Sequence, residues 1–413
     1  MTSVDHRRTR SIVTLSGADG LPMAHEDVTV RQVRHAMEFG CAAFEVAGAD
    51  PAYQDLWLGL FDTATLPVYW GRYEPRRGET ALADLTSAAR WFVDQGVRLK
   101  GHPLVWHTVK APWVDRLSPD EAERLLRGRV RREVRDLAGL IDTWDAINEV
   151  VIMPRFTNEP DGIPNAISRL CARLGRVEMV RLAVDEARSQ GTSPRLLIND
   201  FDLGPEYERL IEELLEAGVR IDAIGLQSHM HQGFRGTDQV LEICDRFARF
   251  GLPLHWTETT LVSGDLMPRD VEDLNDFQPA EWPSTPEGEA RQAEEAVQHY
   301  TALVSHPAVE SITYWGMGDA GAWLGAPAGL VRPDGTPKPA YDALRALVRG
   351  EWWADPAPAR TDGRGRVVVE GFAGRYEVRC RGVAAEVDLA AGNGAVEVEL
   401  VAGNGALEAR RAG

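Results

Sequence analysis

Eight short apolar runs recur along the chain, separated by longer amphipathic stretches. Near-continuous apolar runs of this length are typical of strands that are covered on both faces. They are FGCAAFEV (39–46), TLPVYW (65–70), LKGHPLVWH (99–107), TWDAINEV (143–150), PRLLIND (194–200), IDAIGLQSH (221–229), LPLHWTE (252–258) and ESITYWG (310–316). In one intervening stretch, Ser118, Pro119 and Glu121 carry the capping signals of a helix start. Strands and helices alternating in this way predict an α/β fold, a (β/α)8 TIM barrel.

An open, doubly wound sheet is the structural alternative. It would require a glycine-rich phosphate loop after the first strand, and FGCAAFEVAGAD contains no GxGxxG motif. The sequence therefore favours the barrel.

The domain organisation is predicted from the segments outside the barrel. Residues 1–35 carry two extended runs around a turn-forming ADG, which predicts an N-terminal hairpin leading into a barrel over residues 36–353. Residues 354–365 are rich in Pro, Ala and Gly and predict a linker. Residues 366–413 alternate apolar and polar positions and contain AGNGA twice, at 391–395 and 402–406, which predicts a small C-terminal all-β domain with Asn-Gly hairpins. We expect this domain to pack against the barrel rather than to bind sugar.

Charge and cysteine content restrict the classes of partner. The 413 residues carry a formal net charge of −18, which disfavours nucleic acid, anionic membrane surfaces and polyanionic substrates, and favours a neutral ligand. The four cysteines are scattered, without a CxxC motif or a histidine at ligand spacing. We therefore expect neither a disulfide framework nor a zinc site, and no cofactor.

The N-terminal segment bears on localisation. Basic residues near the start are not followed by an apolar run of signal-peptide length, and no segment approaches the ~20 apolar residues of a membrane span. The expectation is a cytoplasmic protein, or a secreted one if the N-terminus has been trimmed.

Polar and aromatic residues stand at the ends of several predicted strands. Because a barrel gathers its strand ends at one face, we expect these side chains to meet there. They are His102, Trp106 and His107 after the third strand, Asn148 and Glu149 after the fourth, Gln227 and His229 after the sixth, Glu258 after the seventh, and Trp315 and Trp323 after the eighth. The set lacks Lys and Arg, so it suits a neutral polyhydroxyl ligand whose CH faces meet indole rings and whose hydroxyls meet amides and imidazoles.

Glu149 and Glu258 are the candidate catalytic pair. Two carboxylates flanking a glycosidic bond perform glycoside hydrolysis, one as proton donor and the other as nucleophile or base. Strands four and seven lie on opposite sides of an eight-stranded barrel, so the two side chains can face each other across a sugar. The alternative is that these residues have a structural role, because many strands end in polar residues that have no catalytic function. For His107 we favour a position in the core. Trp144 and Trp256 are expected to pack in the interior.

These motifs resemble glycoside hydrolase family 10, the endo-β-1,4-xylanases, over about residues 39–348. The similar segments are GHPLVWH, WDAINEV, IGLQSH, the TE at 257–258, TYWGMGDAGAWL and KPAY at 338–341. The resemblance implies that Glu149 is the general acid/base and Glu258 the nucleophile of a retaining O-glycosyl hydrolase (EC 3.2.1.-). It further implies that the sugar under attack is bound by His102, Trp106, Asn148, Gln227, His229, Trp315 and Trp323.

Two departures from the family pattern concern the pH profile and the substrate. The acidic residue expected two positions after the nucleophile is Thr260, and a hydroxyl does not favour a charged His229 as a carboxylate would. On the second strand, the family pattern has Glu, Asn and Lys, which bind the sugar one position further from the cleaved bond. In this sequence the corresponding positions hold Thr65, Leu66 and Tyr69. Val109 stands where the family pattern has a Gln, a further polar residue that recognises the sugar. The cleavage residues are intact, while those that recognise xylan are altered.

The sequence therefore leaves three functions to be distinguished. The first is hydrolysis of neutral β-linked oligosaccharides, xylan-derived or related. The second is hydrolysis of plant saponins or flavonoid glycosides with an apolar aglycone bound near Tyr69, as in the tomatinases that resemble this family. The third is non-catalytic sugar binding, which the presence of both glutamates disfavours.

Overall fold

The computed structural model describes residues 3–157 and 162–400. They divide into two compact units, one over residues 40–341 and the other formed by the two chain ends, up to Phe39 and from Asp342. Among the described helices, none is long and apolar enough to cross a membrane. In the same residues, no group of His, Cys, Asp and Glu side chains is arranged to hold a metal ion.

Eight parallel strands close into a barrel, as predicted. They are β3 (Glu38–Ala42), β4 (Thr63–Pro67), β5 (Arg98–His102), β6 (Thr143–Asn148), β7 (Arg195–Asp200), β8 (Ala223–Met230), β9 (Leu254–Leu261) and β10 (Val309–Tyr314). Their order around the barrel is β10-β3-β4-β5-β6-β7-β8-β9. Each of the eight apolar runs supplies one strand. Trp144 and Trp256 are fully buried, so the packing role expected for these two side chains is confirmed.

Helices follow the barrel strands along the chain. They are α1 (Pro51–Leu60), α2 (Trp70–Tyr73), α3 (Leu82–Asp94), α4 (Pro119–Asp136), α5 (Ala166–Leu174), α6 (Arg176–Arg188), α7 (Pro205–Glu216), α8 (Thr237–Ala248), α9 (Pro286–Ser305) and α10 (Pro339–Ala346). Shorter 3₁₀ turns cover Asp5–Arg7, Val46–Gly48, Pro112–Arg116, Met153–Arg155, Leu274–Asp276 and Trp323–Gly325, and a π turn covers Leu347–Glu351. The predicted start of α4 is confirmed, because the Ser118 hydroxyl accepts a hydrogen bond from the Glu121 amide at 3.3 Å. This cap satisfies one of the amides that a helix start leaves without a partner.

The chain ends form two small sheets. Their strands are β1 (Arg8–Gly17), β2 (Asp27–His35), β11 (Ala357–Arg360), β12 (Arg366–Phe372), β13 (Gly374–Cys380), β14 (Val383–Leu389) and β15 (Gly392–Leu400). One sheet has the order β12-β1-β15 and the other β11-β2-β13-β14. Alternate residues of both sheets, among them Val13, Val30, Tyr376 and Val378, share one apolar core.

This arrangement corrects the predicted ends of the chain. The N-terminal strands do not form a hairpin with each other, since β1 pairs with β12 and β15 while β2 pairs with β11 and β13. Strands β1 and β2 therefore belong to the β unit, which is not confined to the predicted C-terminal domain. The Asn-Gly hairpin predicted at 391–395 is also wrong, because Asn393 and Gly394 lie inside β15, where a Cβ on Gly394 would meet the Ser11 hydroxyl at 2.9 Å. The second AGNGA segment lies outside the described residues.

The four cysteines are Cys41, Cys171, Cys244 and Cys380. In the structure all four are buried and carry free thiols. Burial raises the pKa of the Cys41, Cys171 and Cys244 thiols to about 12. These thiols therefore stay protonated and serve packing.

Candidate active site

Glu149 and Glu258 occupy strained backbone positions immediately after β6 and near the end of β9. Their φ angles are +56° and +57°, in the left-handed region that residues with a Cβ seldom adopt. Such strain persists where surrounding structure fixes it, and it concentrates at functional sites. The backbone thus aims both carboxyl groups away from the regular strand directions.

Glu149 is held as a protonated carboxyl group. The Trp106 indole donates a hydrogen bond to its Oε2 at 2.8 Å, and the amides of Asn148 and Gln227 lie 3.2 and 3.3 Å from Oε1. Burial, and next the negative charge on Glu258, raise the pKa of Glu149 to about 8. A carboxyl group with this pKa carries a proton at neutral pH and can donate it.

Glu258 is held as a carboxylate. Burial alone would raise its pKa, but His102 and His229 outweigh that effect and bring the pKa of Glu258 below its usual value. The Asn199 amide donates to its Oε1 at 2.7 Å, and His229 Nε2 lies 3.2 Å from Oε2. The two glutamates therefore have pKa values displaced in opposite directions, the arrangement in which one acts as acid and the other as base or nucleophile.

Two further amide and imidazole contacts organise this pair. The Asn199 side chain, at the end of β7, donates to both Asn148 and Glu258, at 2.8 and 2.7 Å, and so links the two sides of the site. His102 Nδ1 lies 2.7 Å from the buried Asp145 carboxylate, which also contacts the Lys100 ammonium at 2.9 Å. Asp145 thereby fixes the orientation of the imidazole.

The predicted site residues all come together. Tyr69 packs against His102 and Trp106, with ring centroids 5.7 and 5.5 Å away. Trp315 lies 5.1 Å from His102, and Trp323 lies 4.8 Å from His229. The contact network joins Tyr69, His102, Trp106, Asn148, Glu149, Gln227, His229, Glu258, Trp315 and Trp323 at one end of the barrel.

His107 and Leu66 have different surroundings from this set. His107 is buried against the Phe156 ring, and burial lowers its pKa to about 3, so the ring is uncharged. Its Nε2 nevertheless lies 3.9 Å from Glu149 Oε2, so this core histidine borders the carboxyl pair. Leu66 pairs in register with Gly101, whereas Thr65 pairs with Lys100, which faces the barrel interior beside Asp145. Since neighbouring residues of a strand face opposite sides, Leu66 faces the helical layer and does not form a wall of the site.

Three residues of the site were not singled out from the sequence. Asn199 and Asp200 end the fifth apolar run, and their position after a buried strand was the available signal. Asp200 accepts the Val151 amide at 3.0 Å, and burial raises the pKa of Asp200 to about 7. Asp145 lies inside WDAINEV, where only the pairing of β5 with β6 reveals its contact with His102.

A closed (β/α)8 barrel with a proton-carrying glutamic acid and an ionised glutamate at its mouth defines a class, the O-glycosyl hydrolases. Residues 37–347 match the model of glycosyl hydrolase family 10, so the chain belongs to that family. Double displacement with retention is general to the family.

Individual proteins similar to this chain have low sequence identity to it. The chain is 23% identical over 385 residues to the anti-sigma-I factor RsgI6 of Acetivibrio thermocellus, covering 91% of this chain and 45% of that protein. It is 26% identical over 274 residues to endo-1,4-beta-xylanase A of Halalkalibacterium halodurans, covering 61% of this chain and 66% of the xylanase. The chain thus spans less than two thirds of the length of both relatives.

The fold is also that of solved xylanase structures. Xylanase 10B from Thermotoga petrophila, crystallised with xylobiose, superposes with a TM-score of 0.62 at 20% identity. The superposition covers 76% of this chain and 95% of that xylanase.

Proposed function

We propose that this chain is a retaining β-glycosidase that cleaves neutral β-linked oligosaccharides. Glu149 serves as the general acid/base and Glu258 as the nucleophile. The observation that carries the proposal is the opposite displacement of their pKa values, with Glu149 raised to about 8 and Glu258 lowered. Membership in glycosyl hydrolase family 10 supports the assignment.

The contacts of each carboxyl group suit its role in a double displacement. In the first step, Glu149 gives its proton to the leaving oxygen while Glu258 bonds to the sugar. Asn199 and His229 hold the Glu258 carboxylate in one orientation, so little rotational freedom remains to be lost at attack. In the second step, Glu149 takes a proton from water, which then releases the sugar from Glu258.

The substrate is proposed to be uncharged. The side chains around the glutamates are amides, imidazoles and aromatic rings, and Lys100, the cation near them, is neutralised by its contact with Asp145. No bidentate cation is left to recognise a phosphate or a carboxylate among the residues of this network. Similarity to xylanases, one of which was crystallised with xylobiose, supports a β-linked sugar.

A second candidate is hydrolysis of glycosides with an apolar aglycone. The observation that favours it is the rim of the site, where Phe44, 41% exposed, packs against Tyr69 and Trp315. Such exposed rings bind apolar surface as readily as the CH face of a sugar. We therefore expect weak activity on polymeric xylan and higher activity on short oligosaccharides or plant glycosides.

Replacement of Glu258 tests the assignment of roles. The Glu258→Ala variant is expected to lose turnover and to regain part of it with azide or formate, which occupy the vacated space. The rescued product is expected to have the inverted anomeric configuration, while the unmodified protein releases the retained one. Inverted product from the unmodified protein would refute the retaining assignment, and sugar binding without turnover on every substrate would favour the non-catalytic alternative.

Substrate choice is tested by a panel. We would compare kcat/KM on xylohexaose with that on short β-glucosides, saponins and flavonoid glycosides. Hydrolysis of xylohexaose at ordinary xylanase rates, with the other substrates untouched, would identify a plain xylanase and contradict the proposed preference.

A further inference from the structure

Asp200, the last residue of β7, is a buried carboxyl group that takes no direct part in the proposed double displacement. Its side chain is fully buried and accepts the backbone amides of Val151 and Asp202, both at 3.0 Å. Among the described residues, no lysine or arginine forms an ion pair with it. A buried carboxylate without a cation is costly for the folded state, so stability does not explain why an aspartate stands here.

The contacts of Asp200 hold the turn that carries Glu149. The Glu149 amide donates to the Asn199 carbonyl at 2.8 Å, and two residues later the Val151 amide donates to the Asp200 carboxyl group. From the other side, the Arg176 guanidinium donates a hydrogen bond to the Val151 carbonyl. Because Glu149 has a φ angle of +56°, this turn persists only where its surroundings fix it.

The charge of Asp200 also acts on Glu149. Burial raises the pKa of Asp200 to about 7, although the backbone amides that it accepts favour its ionised form. The pKa of Glu149 is about 8, and Asp200 is one of the negative charges that raise it. As the pH rises, Asp200 therefore loses its proton before Glu149 does, and its charge then opposes the ionisation of Glu149.

Other titratable groups face these two carboxyl groups from several parts of the barrel. They are Glu258, Tyr69 and His107 around Glu149, and Asp202 and Tyr207 around Asp200. Burial raises the pKa of both phenols and lowers the pKa of His107 to about 3, so these three side chains are uncharged. Glu258 and Asp200 are therefore the two charges that keep a proton on Glu149.

We propose that Asp200 is a positioning residue for proton transfer by Glu149. Its carboxylate fixes the turn that aims Glu149, and its charge keeps the proton in place until the leaving oxygen takes it. The proposal rests on the proposed function, because it takes Glu149 as the acid. Asp200→Asn keeps the size of the side chain, removes its charge, and turns an amide donor towards one of the two backbone amides.

The test compares two β-glycosides of one sugar, methyl and 2,4-dinitrophenyl. The methyl glycoside needs a proton on its leaving oxygen, whereas dinitrophenolate leaves without one. Since general acid catalysis contributes ~10²–10⁴-fold, Asp200→Asn is expected to lower kcat/KM on the methyl glycoside about 10-fold or more, and on the dinitrophenyl glycoside less than about 3-fold. The alkaline limb on the methyl glycoside should move to lower pH by about half a pKa unit or more.

Asp202 supplies the matched control. Its carboxyl group lies in the same loop but accepts the Gly204 amide, at 2.8 Å, and not an amide of the turn after β6. Asp202→Asn is expected to leave both the ratio of the two substrates and the alkaline limb unchanged. An equal loss on both substrates with an unmoved limb in Asp200→Asn, or no change at all, would overturn the proposal.

A second variant separates position from charge. Asp200→Glu keeps the charge but lengthens the side chain by one methylene, which displaces the carboxylate from the Val151 amide. It is expected to lose rate on the methyl glycoside while the alkaline limb stays in place; an equal loss on both substrates contradicts this. Melting curves show whether each variant is folded, and if neither folds, Asp200 serves folding rather than proton transfer and the proposal is overturned.

A fluorescence titration distinguishes failure of this proposal from failure of the proposed function. If no glycoside is hydrolysed, the proposed function fails, but the Trp106 indole still donates to Glu149, so its emission responds to ionisation of that carboxyl group. The part of the pH-dependent signal that is absent in Glu149→Gln reports this ionisation. Its midpoint is expected at lower pH in Asp200→Asn than in the unmodified protein and in Asp202→Asn, and equal midpoints in all three would refute the role of Asp200.

Discussion

The hydrogen bond from Trp106 to Glu149 makes a quantitative prediction about the pH profile. The indole N–H stabilises the ionised carboxylate, while burial and the charge on Glu258 disfavour it and raise the pKa of Glu149 to about 8. Trp106→Phe removes the donor and keeps a ring beside Tyr69. The pKa of Glu149 is therefore expected to rise further, and the alkaline limb of activity moves to higher pH.

The size of the shift follows from the strength of the bond. A hydrogen bond to a charged group contributes ~1.5–3 kcal/mol, and one pKa unit corresponds to ~1.4 kcal/mol. Because water can take over part of the donor's role in the space that Phe leaves, we expect the lower end, an upward shift of about 1 pKa unit.

The assay is the pH dependence of kcat/KM on a glycoside whose leaving group needs a proton, such as a methyl glycoside, since this ratio reports the free enzyme. Trp315→Phe is the control. Trp315 packs against His102 and is not one of the hydrogen-bond donors to Glu149, so its replacement is expected to lower the rate without moving the alkaline limb. A limb that stays in place or moves to lower pH in Trp106→Phe would refute the reasoning.

Three further changes have definite expected outcomes. Thr260→Asp places a carboxylate where the Thr260 hydroxyl now lies 3.2 Å from His229 Nδ1, and this negative charge favours a charged His229. A charged His229 lowers the pKa of Glu258, so the acid limb of kcat/KM should move to lower pH. An unmoved acid limb would contradict the coupling between residue 260 and His229. Gly101→Ala drives a Cβ to 2.3 Å from the Trp144 ring, which should cost ~1–3 kcal/mol of the free energy of unfolding, measured by denaturant titration. Glu149→Gln tests the stability of the folded protein. The pKa of Glu149 is about 8 in the folded protein and about 4.5 for an ordinary glutamate, so the folded state is destabilised as pH rises from about 4.5 to 8. The Gln variant should therefore raise the melting temperature at pH 9 and not at pH 4, and equal melting curves at pH 9 would count against the raised pKa.

The barrel could be predicted from the sequence because its signals are local. A parallel strand buried on both faces reads as a continuous apolar run wherever it occurs, and a helix cap such as Ser118 needs only its neighbours in the chain. The strand ends could be predicted for the same reason, since the last residues of each run mark the mouth of the barrel. The family pattern then supplied the roles that we propose for Glu149 and Glu258.

The chain ends could not be predicted because their strand partners are distant. Arg10 pairs across the ladder with Glu370, 360 positions away, and an alternating pattern indicates a strand without naming its neighbour. The local Asn-Gly signal at 393–394 was misleading. These residues lie in β15, which runs parallel to β1, and the absence of a side chain on Gly394 lets its backbone approach Ser11 closely.

The position of the aromatic rings depends on a residue with no sequence signal, Arg129. It lies in α4 among several arginines, and the helical pattern does not distinguish it from those that face solvent. In the structure it is 3% exposed and donates to the carbonyls of Val68 and Leu104. These carbonyls directly precede Tyr69 and lie two residues before Trp106, so one buried guanidinium ties the helical layer to both strand-end loops. Burial lowers the pKa of Arg129 to about 10, which still leaves it charged at neutral pH, and a charged donor holds the two carbonyls more strongly than a neutral one. The positions of Tyr69 and Trp106 are therefore set partly from outside the site, by contacts of α4 with the segments that follow β4 and β5.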